Sequence, residues 1–162
     1  IVDHAVAEHP RVAGPLFALG LSAGGSMALT LALNHPERFT AVGSHSGAAP
    51  HSARTPLQAG QAMRGRRSPN AEAVAQQLAG RRLPPLVLIH GDLDAVVSFE
   101  SARASAELWL ELLPDGVRFP NVGLEIDGVA GGTDRGEHVG VKIASEGVDG
   151  QLVRARWRRG GG

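Results

Sequence analysis

The sequence predicts an α/β fold in which a mostly parallel sheet is flanked by helices. Short apolar runs over residues 16–19, 39–43 and 86–89 alternate with helical patterns. This order of strand and helix is typical of βαβ units. The run over residues 16–19 is continuous rather than alternating, which predicts a strand buried on both faces.

Four helices are predicted beside these strands. The first opens the chain and ends before Pro10, which cannot donate a helical hydrogen bond. The second, over residues 25–34, is apolar on nearly all sides, which predicts a buried central helix. The third spans residues 71–78 with Asn70 as its N-cap, and the fourth runs to residue 113.

Composition limits the function classes. The chain has 162 residues, of which 43% are hydrophobic and 20% charged, as expected of one globular domain. A formal net charge of zero argues against a nucleic-acid or anionic-membrane partner. No cysteine is present, so thiol catalysis and disulfides are excluded. No apolar run is long enough to span a membrane, and no signal peptide is recognised. The seven histidines lack metal-ligand spacing, so we expect no metal, and we also expect no cofactor.

A change in composition predicts two segments. Twelve of the 22 glycines follow Pro114, and the apolar runs there are short. We therefore predict an α/β core over residues 1–113 and a glycine-rich, weakly structured segment over residues 114–162. Because the chain begins in a helical pattern without methionine, we also expect upstream sequence to be missing.

Residues 16–29 place one serine between a strand pattern and a helix pattern. The motif Gly20-x-Ser22-x-Gly24 is that of a nucleophile elbow, in which small neighbours allow a sharp, crowded turn. Such a turn exposes the Ser22 hydroxyl and makes the Ala23 N–H one donor of an oxyanion hole. The alternative interpretation is a structural turn rich in serine and glycine.

A serine nucleophile needs a base and an acid that orients the base. Hydrolases with this elbow place the acid and then the histidine after the serine. Asp94 follows the most clearly predicted strand, over residues 86–89, and is the predicted acid. Asp92 is the competing candidate for the acid. If Asp94 is the acid, Asp92 is expected to accept hydrogen bonds that brace the loop. His138 is the only histidine downstream of Asp94, and it is either the base or a solvated loop residue.

The sequence predicts other roles for three further histidines. His90 precedes the acid and is interpreted as a buried structural residue bonded to the backbone. His45 and His51 follow the second strand and are interpreted as residues of the pocket wall or of the surface.

Several stretches together resemble one family. They are residues 2–9, the elbow, the end of the second strand, residues 61–65, and His90-Gly91-Asp92-Leu93-Asp94-Ala95-Val96-Val97. Over residues 1–113 the chain resembles the esterase family of poly(3-hydroxybutyrate) depolymerases, within the α/β-hydrolases. The resemblance implies a serine hydrolase that cleaves esters of hydroxyalkanoate polymers or oligomers, or plant cell-wall esters like feruloyl and acetyl-xylan esterases. It also implies Ser22 as nucleophile, Asp94 as acid, and an extracellular location.

The chain departs from that family pattern in two places. Strands and an oxyanion loop that precede the elbow in the family have no counterpart here, and no Gly-His-Ala-Trp motif occurs. Residues 154–161 resemble the basic segment before the family's last strand, which would place the base beyond Gly162 rather than at His138. We therefore expect an incomplete sheet and triad, with very weak or no turnover.

Two other functions remain open at this stage. One is a non-catalytic, degenerate hydrolase fragment. The other is a serine peptidase of the prolyl-oligopeptidase type, which shares the elbow and the HGxxD arrangement of His90 and Asp94.

Overall fold

A computed structural model describes residues 2–9 and 14–112, and it also places the strands over residues 138–143 and 156–159. The strands are β1 (Phe17–Leu21), β2 (Ala41–His45), β3 (Leu86–Gly91), β4 (His138–Ile143) and β5 (Arg156–Arg159). The helices are α1 (Val2–Glu8), α2 (Ala23–Asn34), α3 (Pro56–Met63), α4 (Ala71–Leu78) and α5 (Glu100–Glu111), with a short 3-10 helix at Pro36–Arg38.

The five described strands form one sheet in the order β1-β2-β3-β4-β5. The first three are parallel, with Leu19 opposite Gly43 and Gly43 opposite Val87. Strand β4 runs antiparallel to β3, and β5 runs antiparallel to β4. The three parallel strands and their helices confirm the predicted fold class, a partial α/β-hydrolase-like fold.

The core lies between one face of the sheet and the helices. Leu29 and Leu33 of α2, Leu86 of β3 and Trp109 of α5 are almost completely buried there. The Trp109 indole N–H donates to the Pro84 carbonyl at 3.1 Å, so its one polar atom is satisfied. Because residues of both α2 and α5 pack in this core, the two helices lie on the same side of β3.

The opposite face of the parallel strands is largely exposed, and here the prediction of a doubly buried first strand was wrong. Phe17, Leu19 and Leu21 of β1 are 55%, 77% and 65% exposed. Side chains alternate between the two faces of a strand, and the described helices cover one of those faces. Helix α2 was predicted to be buried on nearly all sides, but only the side that packs on the sheet is buried. Met27, on another side of the helix, is 58% exposed.

Local signals set the helix ends. Helix α4 has the predicted bounds, and the Asn70 carboxamide oxygen accepts from the Ala73 N–H at 2.9 Å. Helix α3 was not predicted within the polar section after β2. Its signal is Thr55-Pro56, because Thr55 caps the Gln58 N–H and proline favours the first helical position.

The predicted boundary after residue 113 stays a prediction. Strands β4 and β5 come from the glycine-rich segment and belong to the sheet. Residues 113–137, 144–155 and 160–162 of that segment lie outside the described residues.

Two glycines let α2 begin close against the sheet. A Cβ on Gly20 would lie 2.1 Å from the backbone C and O atoms of Gly24, and one on Gly25 would lie 2.4 Å from the Ser44 Oγ. A Cβ on Gly24 would meet nothing within 4 Å. A side chain would therefore be crowded at Gly20 and at Gly25, but not at Gly24.

We predict that Gly20→Ala destabilises the fold by about 3 kcal/mol or more, because backbone atoms cannot move aside as a flexible side chain can. The matched control is Gly24→Ala, which should leave stability unchanged or raise it by up to about 1 kcal/mol through helix propensity. Urea denaturation followed by circular dichroism measures both. Equal midpoints for the two variants would contradict the packing argument.

Candidate active site

Ser22 occupies a strained turn between β1 and α2. Its φ of 52° and ψ of −122° are unusual for a residue that is not glycine. The Ser22 N–H donates to the His45 carbonyl at 2.8 Å, and the Ser22 carbonyl accepts from the Ser26 N–H at 3.1 Å. The backbone is thus held on both sides, and the residue is exposed. This is the geometry that the elbow motif predicts.

Ala23 is the first residue of α2 and lines the same pocket as Ser22. The first N–H groups of a helix have no partner within the helix, and the helix dipole places positive charge there. An oxyanion that formed at Ser22 would meet this end of α2.

The carboxyl ends of the three parallel strands form one edge of the sheet. Ser22 follows β1, Ser46 follows β2, and Asp94 lies three residues after β3. The Ser46 N–H donates to the Ile89 carbonyl at 2.9 Å, which continues the pairing of β2 with β3 past the strand end. With strands about 4.8 Å apart, β1 and β3 are separated by about 10 Å. A proton relay between Ser22 and Asp94 therefore needs a third group between them.

The Asp94 carboxylate is held by its own loop. Its Oδ1 accepts from the Val96 N–H at 2.8 Å and from the Val97 N–H at 2.9 Å. The sequence analysis predicts a loop-bracing role for Asp92; in the structure, Asp94 accepts these two hydrogen bonds within the loop. Asp94 Oδ2 lies 3.7 Å from His90 Nε2.

The pKa of Asp94 reflects two opposing effects. Partial burial raises the pKa, but the hydrogen bonds from Val97 and Val96 lower it, and His90 and a hydrogen bond with Ser46 lower it further. The net result is a pKa below the ordinary value of an aspartate. Asp94 is therefore ionised at neutral pH, as an acid that orients a histidine must be.

His90 has the position expected of a structural residue. Its side chain is 1% exposed, and Nε2 lies 2.7 Å from the Val97 carbonyl oxygen. Because a carbonyl only accepts, Nε2 carries the proton and donates. The Phe99 ring packs edge-on at 6.1 Å between centroids. His90 thus connects the end of β3 to the end of the Asp94 loop.

His138 begins β4, and its Cα pairs with that of Gly91 in the antiparallel register. A Cβ built on Gly91 would lie 3.8 Å from the Asp94 Cβ. The backbone of His138 is therefore beside the strand end from which the Asp94 loop starts. The sequence alone gave no reason to expect this pairing.

A pocket of about 310 Å³ opens beside Ser22. Residues 48–53 form one wall, and Met27 of α2, Ala62 and Met63 of α3, and Val97 form the others. His51 lies in this lining, whereas His45 is the last residue of β2 and contributes its carbonyl to the elbow.

One supporting residue was missed by sequence reasoning. The Arg67 Nε donates to the Ser52 carbonyl at 2.8 Å and so anchors the pocket wall to the segment between α3 and α4. No local sequence pattern distinguishes Arg67 from the neighbouring Arg64 and Arg66.

Two observations concern other kinds of site. Within the described residues, no three His, Asp or Glu side chains are grouped so as to hold a metal ion. Among the helices that the structure describes, none has both the length and the apolar character needed to cross a membrane.

We predict that Asp94 makes stability depend on acidic pH. Since the folded pKa is depressed, its contribution is present above the ordinary pKa of about 3.9. The contribution is lost as the pH falls through the lower, folded value. In Asp94→Asn the fall in urea midpoint between about pH 6 and about pH 3 should therefore be smaller than in the wild type. Glu111→Gln, an exposed carboxylate on α5, is the control and should retain the wild-type dependence; an identical profile for Asp94→Asn would contradict the prediction.

Comparison of the sequence with known proteins identifies a family. No match to a curated protein was found. A family model described as Esterase PHB depolymerase matches residues 1–115, which include the elbow, the parallel strands, the pocket and the Asp94 loop. The chain belongs to the esterase PHB depolymerase family, whose members are ester hydrolases.

Proposed function

We propose that the protein is a serine esterase in which Ser22 is the nucleophile. The observation that carries this proposal is the strained, exposed Ser22 at the N-terminus of α2, beside a pocket. Ser22 Oγ attacks the ester carbonyl carbon, and the carbonyl oxygen becomes an oxyanion to which the Ala23 N–H donates. The alcohol then leaves, and water releases the acyl group from Ser22.

We assign the acid role to Asp94 and the base role to His138. The ionised Asp94 carboxylate supports the first assignment, and the pairing of His138 with Gly91 supports the second. His90 is a weaker base candidate because its Nε2 is buried and already donates to Val97. The base takes the Ser22 proton and returns it to the leaving alcohol.

For the substrate we propose carboxylic esters of hydroxyalkanoate oligomers or polymers, with feruloyl and acetyl-xylan type esters of plant cell walls as the alternative. Membership of the esterase PHB depolymerase family supports this substrate class. The proposed location is extracellular, as for the exported proteins that the chain resembles.

A fluorophosphonate probe tests the nucleophile. Labelling is expected on the wild type and on Ser68→Ala, a control serine exposed between α3 and α4, but not on Ser22→Ala. Hydrolysis of p-nitrophenyl butyrate should fall by about 10³-fold or more in Ser22→Ala, because no other group replaces the nucleophile. A folded wild-type chain that resists labelling would favour the non-catalytic alternative, and faster cleavage of peptides than of esters would favour a peptidase.

His138→Gln tests the base. We expect kcat to fall by about 10³-fold or more, since glutamine cannot accept and return a proton. His9→Gln, in an exposed position outside the pocket, is the matched control and should retain the wild-type rate. Ester hydrolysis that depends on Ser22 but not on His138 would show that another group is the base.

A further inference from the structure

The pocket beside Ser22 has apolar walls of mostly small side chains. Ala48, Ala49 and Ala53 come from the segment after β2, and Ala59 and Ala62 come from α3. Among the residues that the structure describes, no Phe, Tyr or Trp side chain lines the pocket. Such walls suit a short aliphatic chain, whose methylene groups gain by leaving water.

Two of the polar groups that line the pocket are already used within the protein. The Thr30 hydroxyl donates to the Ser26 carbonyl at 2.9 Å, and the Ser52 hydroxyl donates to the Ala49 carbonyl at 2.6 Å. His51 is the one lining residue in the described part of the chain with a titratable side chain. Among the described residues, no hydrogen bond engages its ring, and the residue is exposed at the pocket wall.

The backbone around His51 is fixed. His51 has a φ of 57°, a left-handed conformation that is unfavourable for a residue with a Cβ and persists only when its surroundings impose it. The next residue supplies that constraint, because Ser52 is buried, bonds back to Ala49 and accepts from Arg67 Nε. The ring is thus carried by a rigid segment rather than by a free loop.

The protonation state of His51 also suits a neutral polar ligand. Partial burial lowers its pKa, and the nearby charge of Arg54 lowers it further. The ring is therefore neutral at pH 7, with one nitrogen that donates and one that accepts. A hydroxyl group has the same pair of functions.

We propose that this pocket binds the acyl part of the substrate and that His51 selects short hydroxyacyl groups by hydrogen bonding to their hydroxyl. The inference rests on the proposed function, since it places the acyl chain beside Ser22. The aliphatic carbons lie against the alanines and methionines, and the hydroxyl is directed to the imidazole at the pocket wall. His51 is a specificity-determining residue and takes no part in proton transfer from Ser22.

The experiment compares methyl 3-hydroxybutyrate with methyl butyrate, two esters that differ by one hydroxyl. Acid release in a pH-stat gives kcat/KM for each, and their ratio measures the hydroxyl preference. The ratio does not depend on the folded fraction of a variant, because both substrates meet the same enzyme. We expect the wild type to prefer the hydroxy ester. We expect His51→Ala to lower the ratio about tenfold, because the variant loses one hydrogen bond to the hydroxyl.

Two further variants make the test specific. His51→Gln retains a donor and an acceptor and should keep more of the preference than His51→Ala. His35→Ala, an exposed histidine after α2 that is outside the pocket, should keep the wild-type ratio. An unchanged ratio in His51→Ala, or an equal loss in the Ala and Gln variants, would overturn the proposal.

Binding to Ser22→Ala separates this inference from the esterase proposal. We expect 3-hydroxybutyrate to shift the NMR signals of the His51 ring at lower concentration than butyrate does. If the wild type hydrolyses no ester but this binding difference is present, the esterase proposal fails and the pocket assignment holds. If esters are hydrolysed in a Ser22-dependent way and neither the ratio nor the binding differs, the pocket assignment alone fails.

Discussion

The close approach of α2 to the sheet is the constraint on which the site depends. A Cβ on Gly25 or on Gly47 would lie 2.4 Å from the Ser44 Oγ, and a Cβ on Gly20 would overlap the backbone of Gly24. Three glycines therefore surround the junction of β1, β2 and α2. Because the helix starts so near the strand, the chain must turn within one residue, and Ser22 takes up the strain.

The parallel strands then determine which polar groups share an edge. Residues that follow β1, β2 and β3 emerge at the same end of the sheet, as in other open α/β sheets. The hydrogen bonds from Ser22 to His45 and from Ser46 to Ile89 tie each turn to the next strand. A serine and a carboxylate that are far apart in sequence thus lie along one edge without needing to touch.

The two faces of this sheet differ in cover. Helices α2, α4 and α5 bury one face with a contiguous apolar cluster. On the other face of the described residues, Leu19, Leu21 and Ile89 stay exposed around His45. An apolar surface of this kind is uncommon on a soluble monomer.

The sequence by itself determined the elements whose signals are local. The glycine spacing around Ser22, the Asn70 cap of α4 and the apolar run of β3 each lie within a few residues, and each predicted its element correctly. Parallel topology followed from their order. Together they were sufficient to place Ser22 and Asp94 at one edge.

Only the tertiary structure decided the contacts between distant segments. Arg67 reaches Ser52 across 15 positions, β4 brings His138 opposite Gly91, and the cover on one face leaves β1 exposed on the other. The sequence pattern of a single strand or loop does not record which segment will pack against it. That choice arises from the packing of the whole chain, in which each surface is buried or exposed according to what lies beside it.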